Sequence, residues 1–331
     1  MKSMFVLKLL VAGCLVAGIA WTAPAQTPKK VLVVTTTTGF RHSSIPVAEK
    51  ILAKLGQESG AFTVDLVQQP AKQHIPEKPK APKPDASDEA KQKYKDASDK
   101  WKTEFGAKAK AADEDFNSAM KKVLEKLSPD NLKNYDAVIF ANTTGDLPIP
   151  DKEGFLNWLK SGKTFVGMHS ACDTFHGWPD YIKMLGGEFK THGAQVGVEC
   201  LNQDAKHPAT AHLPAGWKIS LEEIYQLKNY DLEKCNHELL VLDKHPNDKS
   251  LGNYPVSWCK EFGKGRVFYT TLGHREDVWD AEWKEGNGKR ANAPEIALAY
   301  QQHILNGIKW ALGLIPGDAK PQAKPVGAPV Q

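Results

Sequence analysis

The sequence predicts an α/β fold, a doubly wound and mostly parallel sheet carrying an inserted helical arm. Three observations lead there. Short β-branched apolar runs alternate with segments of helical period, and the first of them form a strand–helix–strand opening, the start of a βαβ unit. The runs are apolar at successive positions, as in strands covered on both faces. Polar turns, several bearing histidine, follow the runs where an open parallel sheet binds its ligands.

The elements follow in order. Residues 30–36 read as a buried strand, followed by the turn Thr37-Thr38-Gly39-Phe40-Arg41-His42. Ile45, Val47, Ala48, Ile51, Leu52 and Leu55 recur at helical spacing, with Gly56 available as a stop. A second strand spans 62–67. Residues 76–127 then break the alternation. They are rich in Lys, Ala, Asp and Pro, begin with Pro76, Pro79, Pro82 and Pro84, and continue in strongly helix-favouring sequence, which suggests an exposed helical hairpin. Strands resume at 136–141 and 164–168, with a helix at 152–159 between them. Short strands at 195–200 and 239–242 precede a hairpin of 254–259 with 266–271, and a last amphipathic helix runs from about 294 to 312. The expected organisation is a leader over 1–25, one α/β domain over 26–314 with the insertion at 76–127, and a disordered Pro-rich tail over 315–331.

Composition narrows the function classes. The chain has 331 residues, 43 Lys+Arg against 39 Asp+Glu, 41% hydrophobic and 25% charged residues, which suits a globular domain. A net charge of +4 without a basic stripe argues against a nucleic-acid partner. Lys2 and Lys8 flank an apolar run that ends at Trp21, followed by Ala23-Pro24-Ala25. The run is about 13 residues, short of the roughly 20 that a spanning helix needs, and reads as a secretory leader cleaved near Ala25. Its removal takes the charge from +4 to +2 and leaves no segment apolar enough to span a bilayer, so the mature protein is expected in the periplasm or outside the cell. A lipoprotein box ending at Cys14 is the alternative, disfavoured because the apolar stretch runs on past Cys14. Cys172, Cys200, Cys235 and Cys259 then remain, enough for two disulfides or for four buried thiols.

Residues from remote segments meet at the predicted crevice. The first strand delivers Arg41 and His42, the third Asn142 and Asp146, the fourth His169 and Asp173, and the last hairpin His274. The first turn has no second or third glycine and GxxxxGK[ST] is missing, so no nucleotide cofactor is expected. Gly167-Met168-His169-Ser170-Ala171 resembles a nucleophile elbow in which histidine occupies the nucleophile place, with Ser170 and Cys172 out of register. His169 there suits a general base or a metal ligand. The expected catalytic set is His169, His42, Asp173 and Glu223. Arg41, Asn142, Asp146, Trp178 and Trp258 are the expected sugar contacts, and His169, His192 and His274 the candidate ligands of a divalent cation.

Several motifs in order carry a family resemblance. They run from Thr38 through Pro46, Tyr135 to Phe140, Val166 to Asp173, Gly186 to His192, His207 to Thr210, Glu223 to Tyr225, Tyr254 to Trp258, and Gly263 to His274. Over about residues 30–313 the chain resembles the ThuA-like (trehalose utilisation) family. The resemblance implies a fold similar to class I glutamine amidotransferases without their catalytic cysteine. It also implies a link to uptake or breakdown of trehalose and related disaccharides, in some members through 3-keto sugars. His42, His169, Asp173, His192, Glu223 and His274 are the site residues it carries over. The expected function is thus a carbohydrate-processing enzyme (a keto-glycoside hydrolase, lyase or isomerase), with a non-catalytic sugar-binding or scaffold protein as the alternative.

Overall fold

The computed structural model describes residues 27–230 and 236–322. The leader at 1–25, the Cys14 alternative, Cys235 and the last nine residues lie outside them.

The strands are β1 (Lys29–Val34), β2 (Phe62–Val67), β3 (Ala137–Ala141), β4 (Thr164–Met168), β5 (Glu188–His192), β6 (Val196–Asn202), β7 (Gly216–Glu222), β8 (Tyr225–Lys228), β9 (His237–Lys244), β10 (Leu251–Phe262) and β11 (Gly265–Thr270). The helices are α1 (Ile45–Ser59), α2 (Asp88–Leu124), α3 (Pro129–Leu132), α4 (Lys152–Lys160), α5 (Pro179–Leu185), α6 (Glu276–Trp279) and α7 (Pro294–Ala311). Nine strands form one sheet in the order β2-β1-β3-β4-β11-β10-β9-β6-β7. The first five are mutually parallel and the last four continue the sheet antiparallel. β5 and β8 pair separately as a two-stranded ribbon.

The apolar runs become central strands because both faces are covered. Val31 and Val33 point to one cluster with Ile51 and Leu52 of α1 and Ile304 and Ile308 of α7. Leu32 and Val34 point to the other, with Leu124 of α2, Phe155 of α4 and Tyr181 of α5. β4 and β11 split the same way: Val166, Met168 and Phe268 face the first layer, Phe165, Val267 and Tyr269 the second. A period of two with both phases apolar is what a sheet between two helical layers requires.

Three expectations change. α1 runs on to Ser59 and closes at Gly60, φ +62°, rather than stopping at Gly56. Gly56 is instead a close approach, since a Cβ there would lie 2.7 Å from the Phe62 carbonyl oxygen. The insertion is not a helical hairpin but one 37-residue helix, α2, preceded by a leg without regular structure. Prolines keep that leg out of helix, and it lies along α2 through Trp101, whose indole N–H donates to the Pro76 carbonyl at 2.7 Å, and Lys72, 2.6 Å from Asp113. The start of the tail is ordered against the domain. Trp310 donates to the Gly317 carbonyl at 3.1 Å, His237 Nδ1–H to the Lys320 carbonyl at 2.8 Å, and Ala319 is buried.

Cys172, Cys200 and Cys259 are buried free thiols. Burial pushes the Cys172 thiol up to about 12, which removes it as a nucleophile at neutral pH. Among the described residues no helix is long and apolar enough to cross a membrane.

Candidate functional site

The parallel half of the sheet has strand order 2-1-3-4 followed by β11, which opens a crevice at the carboxyl ends between β1 and β3. Each strand ends in a loop that hands a polar residue to that edge: His42 after β1, Asn142 after β3, His169 directly after β4, and His274 after β11. Glu222 and Glu223 arrive from the far, antiparallel end of the sheet, at the junction of β7 and β8.

His169 is wholly buried and holds φ at +47°, a left-handed conformation that is strained for a side chain of this size. The surroundings impose it. The Tyr269 hydroxyl donates to the His169 carbonyl, and His169 Nδ1–H donates to the Thr271 carbonyl at 2.9 Å. With its proton fixed on Nδ1, neutral His169 turns the Nε2 lone pair into the crevice. There it meets His42 Nε2 at 3.2 Å, His274 Nδ1 at 3.3 Å and Glu223 Oε2 at 3.7 Å. Glu223 Oε2 is also 3.2 Å from His274 Nδ1.

These four donor atoms lie within 4.8 Å of one another. A cation with ligands at about 2.0–2.1 Å separates them by roughly 3.3 Å, close to the spacings found, so three imidazoles and one carboxylate fit a divalent ion such as zinc. The surrounding hydrogen bonds orient the rings as metal ligands are oriented. Thr271 holds His169, and the Ser170 hydroxyl lies 3.3 Å from His42 Nδ1. The Gly273 carbonyl, beside His274, accepts from Ser44 Oγ, Asn142 Nδ2 and Trp279 Nε1 at 3.2, 2.9 and 2.8 Å.

The electrostatics favour neutral nitrogens on one side. Burial, followed by the neighbouring His274, pulls His42 down to about 4, and burial with His42 and His274 holds His169 well below its usual value. Burial would lower His274 too, but its hydrogen bond to Glu223 and the nearby Glu222 charge raise it. Burial pushes Glu222 up to about 7. Its Oε1 accepts from the backbone N–H groups of Glu223 and His274 at 2.8 and 3.2 Å and so ties together the backbones of two of the four clustered residues.

The structure brings His42, His169, Glu223 and His274 together. His192 stays out of the four-atom set: its Nδ1 lies 2.9 Å from Oε1, the other oxygen of Glu223, and its side chain is 45% exposed on the rim. Asp173 turns away from the histidines to His176, at 2.6 Å. His176 also bonds Glu188 at 2.6 Å; burial opposes its charge, but these two carboxylates raise its pKa. Arg41 bonds the Thr35 carbonyl and Gln69 at 2.9 and 3.1 Å, Asp146 is exposed, and Asn142 is buried as a strut.

Two expected sugar contacts are corrected. Trp258 is fully buried, donates to the Leu185 carbonyl at 2.8 Å and packs on Tyr269. Trp178 is buried against Phe175 and Tyr181. Both are core because α5 and its flanks cover that face of the sheet. Sequence reasoning missed Thr271 and Gly273, which act through backbone carbonyls that no side-chain pattern advertises. It also gave no role to Glu222, whose only signal was a second carboxylate beside Glu223.

The comparisons agree with this architecture. A ThuA-like protein of Parabacteroides merdae shares the fold at a TM-score of 0.57 and 19% identity, covering 91% of this chain and 95% of its own. A ThuA-like protein of Bacteroides uniformis does so at 0.53 and 18%, covering 86% and 92%. No curated protein matches the sequence. The ThuA family profile, described as trehalose utilisation, matches residues 87–291, from the start of α2 to the loop before α7, and the chain belongs to that family.

Proposed function

We propose that this ThuA-family protein is an exported enzyme that processes a disaccharide or keto-disaccharide at a centre built from His42, His169, His274 and Glu223. The observation that supports it most is the convergence of those four donor atoms within 4.8 Å at the sheet's carboxyl edge. A strained, buried histidine that meets two more imidazoles and a carboxylate costs stability, and such arrangements cluster at functional sites. A bound divalent cation supplies a Lewis acid toward a carbonyl or hydroxyl oxygen of the sugar.

The chain's own groups then divide the remaining work. His42, His169 and Glu223 are ligands rather than bases. His192 Nδ1–H donates to the Gly193 carbonyl at 3.0 Å and lies 2.9 Å from Glu223 Oε1, which leaves Nε2 as the ring nitrogen to accept a proton on the exposed rim. A C–H beside a ketone is acidic enough for an imidazole so oriented to remove. Arg41, next to His42 in the loop after β1, and Asp146, in the loop after β3, are the side chains assigned to sugar hydroxyl groups. Asp173, engaged with His176, positions the loop after β4. Export rests on the leader read at residues 1–25, and the N-terminal mass of the secreted chain tests it.

The experiment is turnover of trehalose and of its 3-keto derivative, with and without chelator, in wild type and His169→Ala. Loss on chelation and on substitution is expected. Turnover indifferent to both overturns the mechanism, and binding without turnover on either sugar favours a non-catalytic sugar-binding protein.

A further inference from the structure

Phe40 sits at the edge of this centre with its side chain largely in solvent. Three large apolar side chains are exposed among the described residues, Phe40, Leu251 and Leu298, and Phe40 is the aromatic one, at 68%. Its ring meets His42 edge-on, 4.9 Å between centroids at 80°. His42 belongs to the four-atom centre and reaches His169 Nε2 at 3.2 Å, so the exposed phenyl packs directly on one of the clustered imidazoles.

The backbone that carries Phe40 is held tightly. Buried Thr144 donates through Oγ to the Phe40 carbonyl at 2.7 Å, and Thr38 N–H donates to the Thr144 carbonyl at 3.0 Å. Gly145, at φ +75°, packs so closely that a Cβ there would lie 2.4 Å from Thr38 Oγ and 2.8 Å from the Gly39 nitrogen. The loops after β1 and β3 are therefore clasped together while the phenyl of Phe40 faces water. A phenyl exposed on a loose loop costs little and means little. One exposed on a fixed backbone beside a polar centre has kept apolar surface out of the core, as binding surfaces do.

We propose that Phe40 is the stacking platform for a pyranose ring of the ligand. A pyranose offers a face of C–H groups and a rim of hydroxyls. The C–H face covers the phenyl, and the rim meets Arg41, the next residue, and Asp146, which follows Gly145. Trp178 and Trp258 are buried and cannot take this role. The assignment rests on the sugar reading above and adds its docking surface.

Calorimetric titration of trehalose and of its 3-keto derivative into the purified protein tests it, with Phe40→Ala, Phe40→Leu and Phe40→Tyr alongside wild type. Losing one covered phenyl face weakens binding roughly tenfold in Phe40→Ala. Phe40→Leu, which restores apolar area without a flat ring, stays weakened, and Phe40→Tyr keeps wild-type affinity within about twofold. Metal content and melting temperature are unchanged in all three, because the side chain packs on little. Wild-type affinity in Phe40→Ala or in Phe40→Leu overturns the platform and leaves the sugar reading standing. Failure of wild type to bind either sugar overturns both.

Discussion

Thr271 accepts a hydrogen bond of 2.9 Å from Nδ1 of His169, a residue 102 positions away, and that bond decides what the buried imidazole can do. A carbonyl only accepts, so the proton is on Nδ1 and the lone pair is on Nε2. That lone pair faces His42 and His274. Burial keeps the ring neutral. The same bond that satisfies a buried donor thus presents a lone pair to the crevice.

His192→Ala tests whether proton transfer is separate from metal holding. His192→Ala is expected to lower turnover of the keto-disaccharide by about 10²–10⁴-fold while leaving metal content at the wild-type value. Parallel kinetics and elemental analysis of one preparation check it. Loss of metal in this variant would move His192 into the ligand set.

Tyr269 braces the strained turn. Its hydroxyl donates to the His169 carbonyl, and Tyr269 is fully buried. Tyr269→Phe leaves that carbonyl short of a strong donor and is expected to cost about 1–2 kcal/mol in denaturant unfolding. Turnover should fall as well, since the φ of +47° at His169 is held from this side. An unchanged midpoint and rate would show that the turn holds without it.

Gly145→Ala tests the clasp between the loops after β1 and β3. The added methyl group meets Thr38 and Gly39, and alanine is disfavoured at φ +75° in any case. A loss of more than about 2 kcal/mol is expected, with weaker sugar binding because Phe40 and His42 ride on the displaced loop. Chemical unfolding and calorimetry read the two effects separately.

Acid should weaken the fold through histidines away from the centre. Burial holds His303 down to about 3 and His207 down to about 4. His303 Nδ1–H donates to the Ala209 carbonyl at 2.8 Å, and its Nε2 lies 3.2 Å from the Ser257 hydroxyl. Because the folded values lie below the usual 6.5, the unfolded chain takes up protons first. Their contribution is complete above pH 6.5 and is lost as pH falls from there toward 4 and 3. Between pH 7.5 and 4.5 each histidine removes about 2–3 kcal/mol. Urea unfolding at the two pH values should show His303→Gln, less stable at pH 7.5, losing correspondingly less on acidification.

The legible parts of this protein are those decided locally. β1, β3 and β4 are apolar at every position because both faces are covered, and His42 and His169 follow directly because a strand's end is visible in sequence. Glu223 and His274 were named by motif, but their meeting depends on β10, β9, β6 and β7 folding the antiparallel half back to the crevice, which no local period encodes. Trp258 reads in sequence as a ring on an exposed edge; α5 lies over that face, and the Leu185 carbonyl takes its N–H. Prolines correctly marked the start of the insertion, yet whether the leg formed helix or lay along one depended on contacts such as Trp101 with Pro76.

The proposed function stands on a divalent cation held by His42, His169, His274 and Glu223 and needed for the sugar chemistry. Elemental analysis of freshly purified wild type and His169→Ala, each assayed on the keto-disaccharide, tests it most directly. About one equivalent of divalent metal per chain is expected, lost together with turnover in His169→Ala. Metal-free wild type that turns the sugar over at full rate would contradict it.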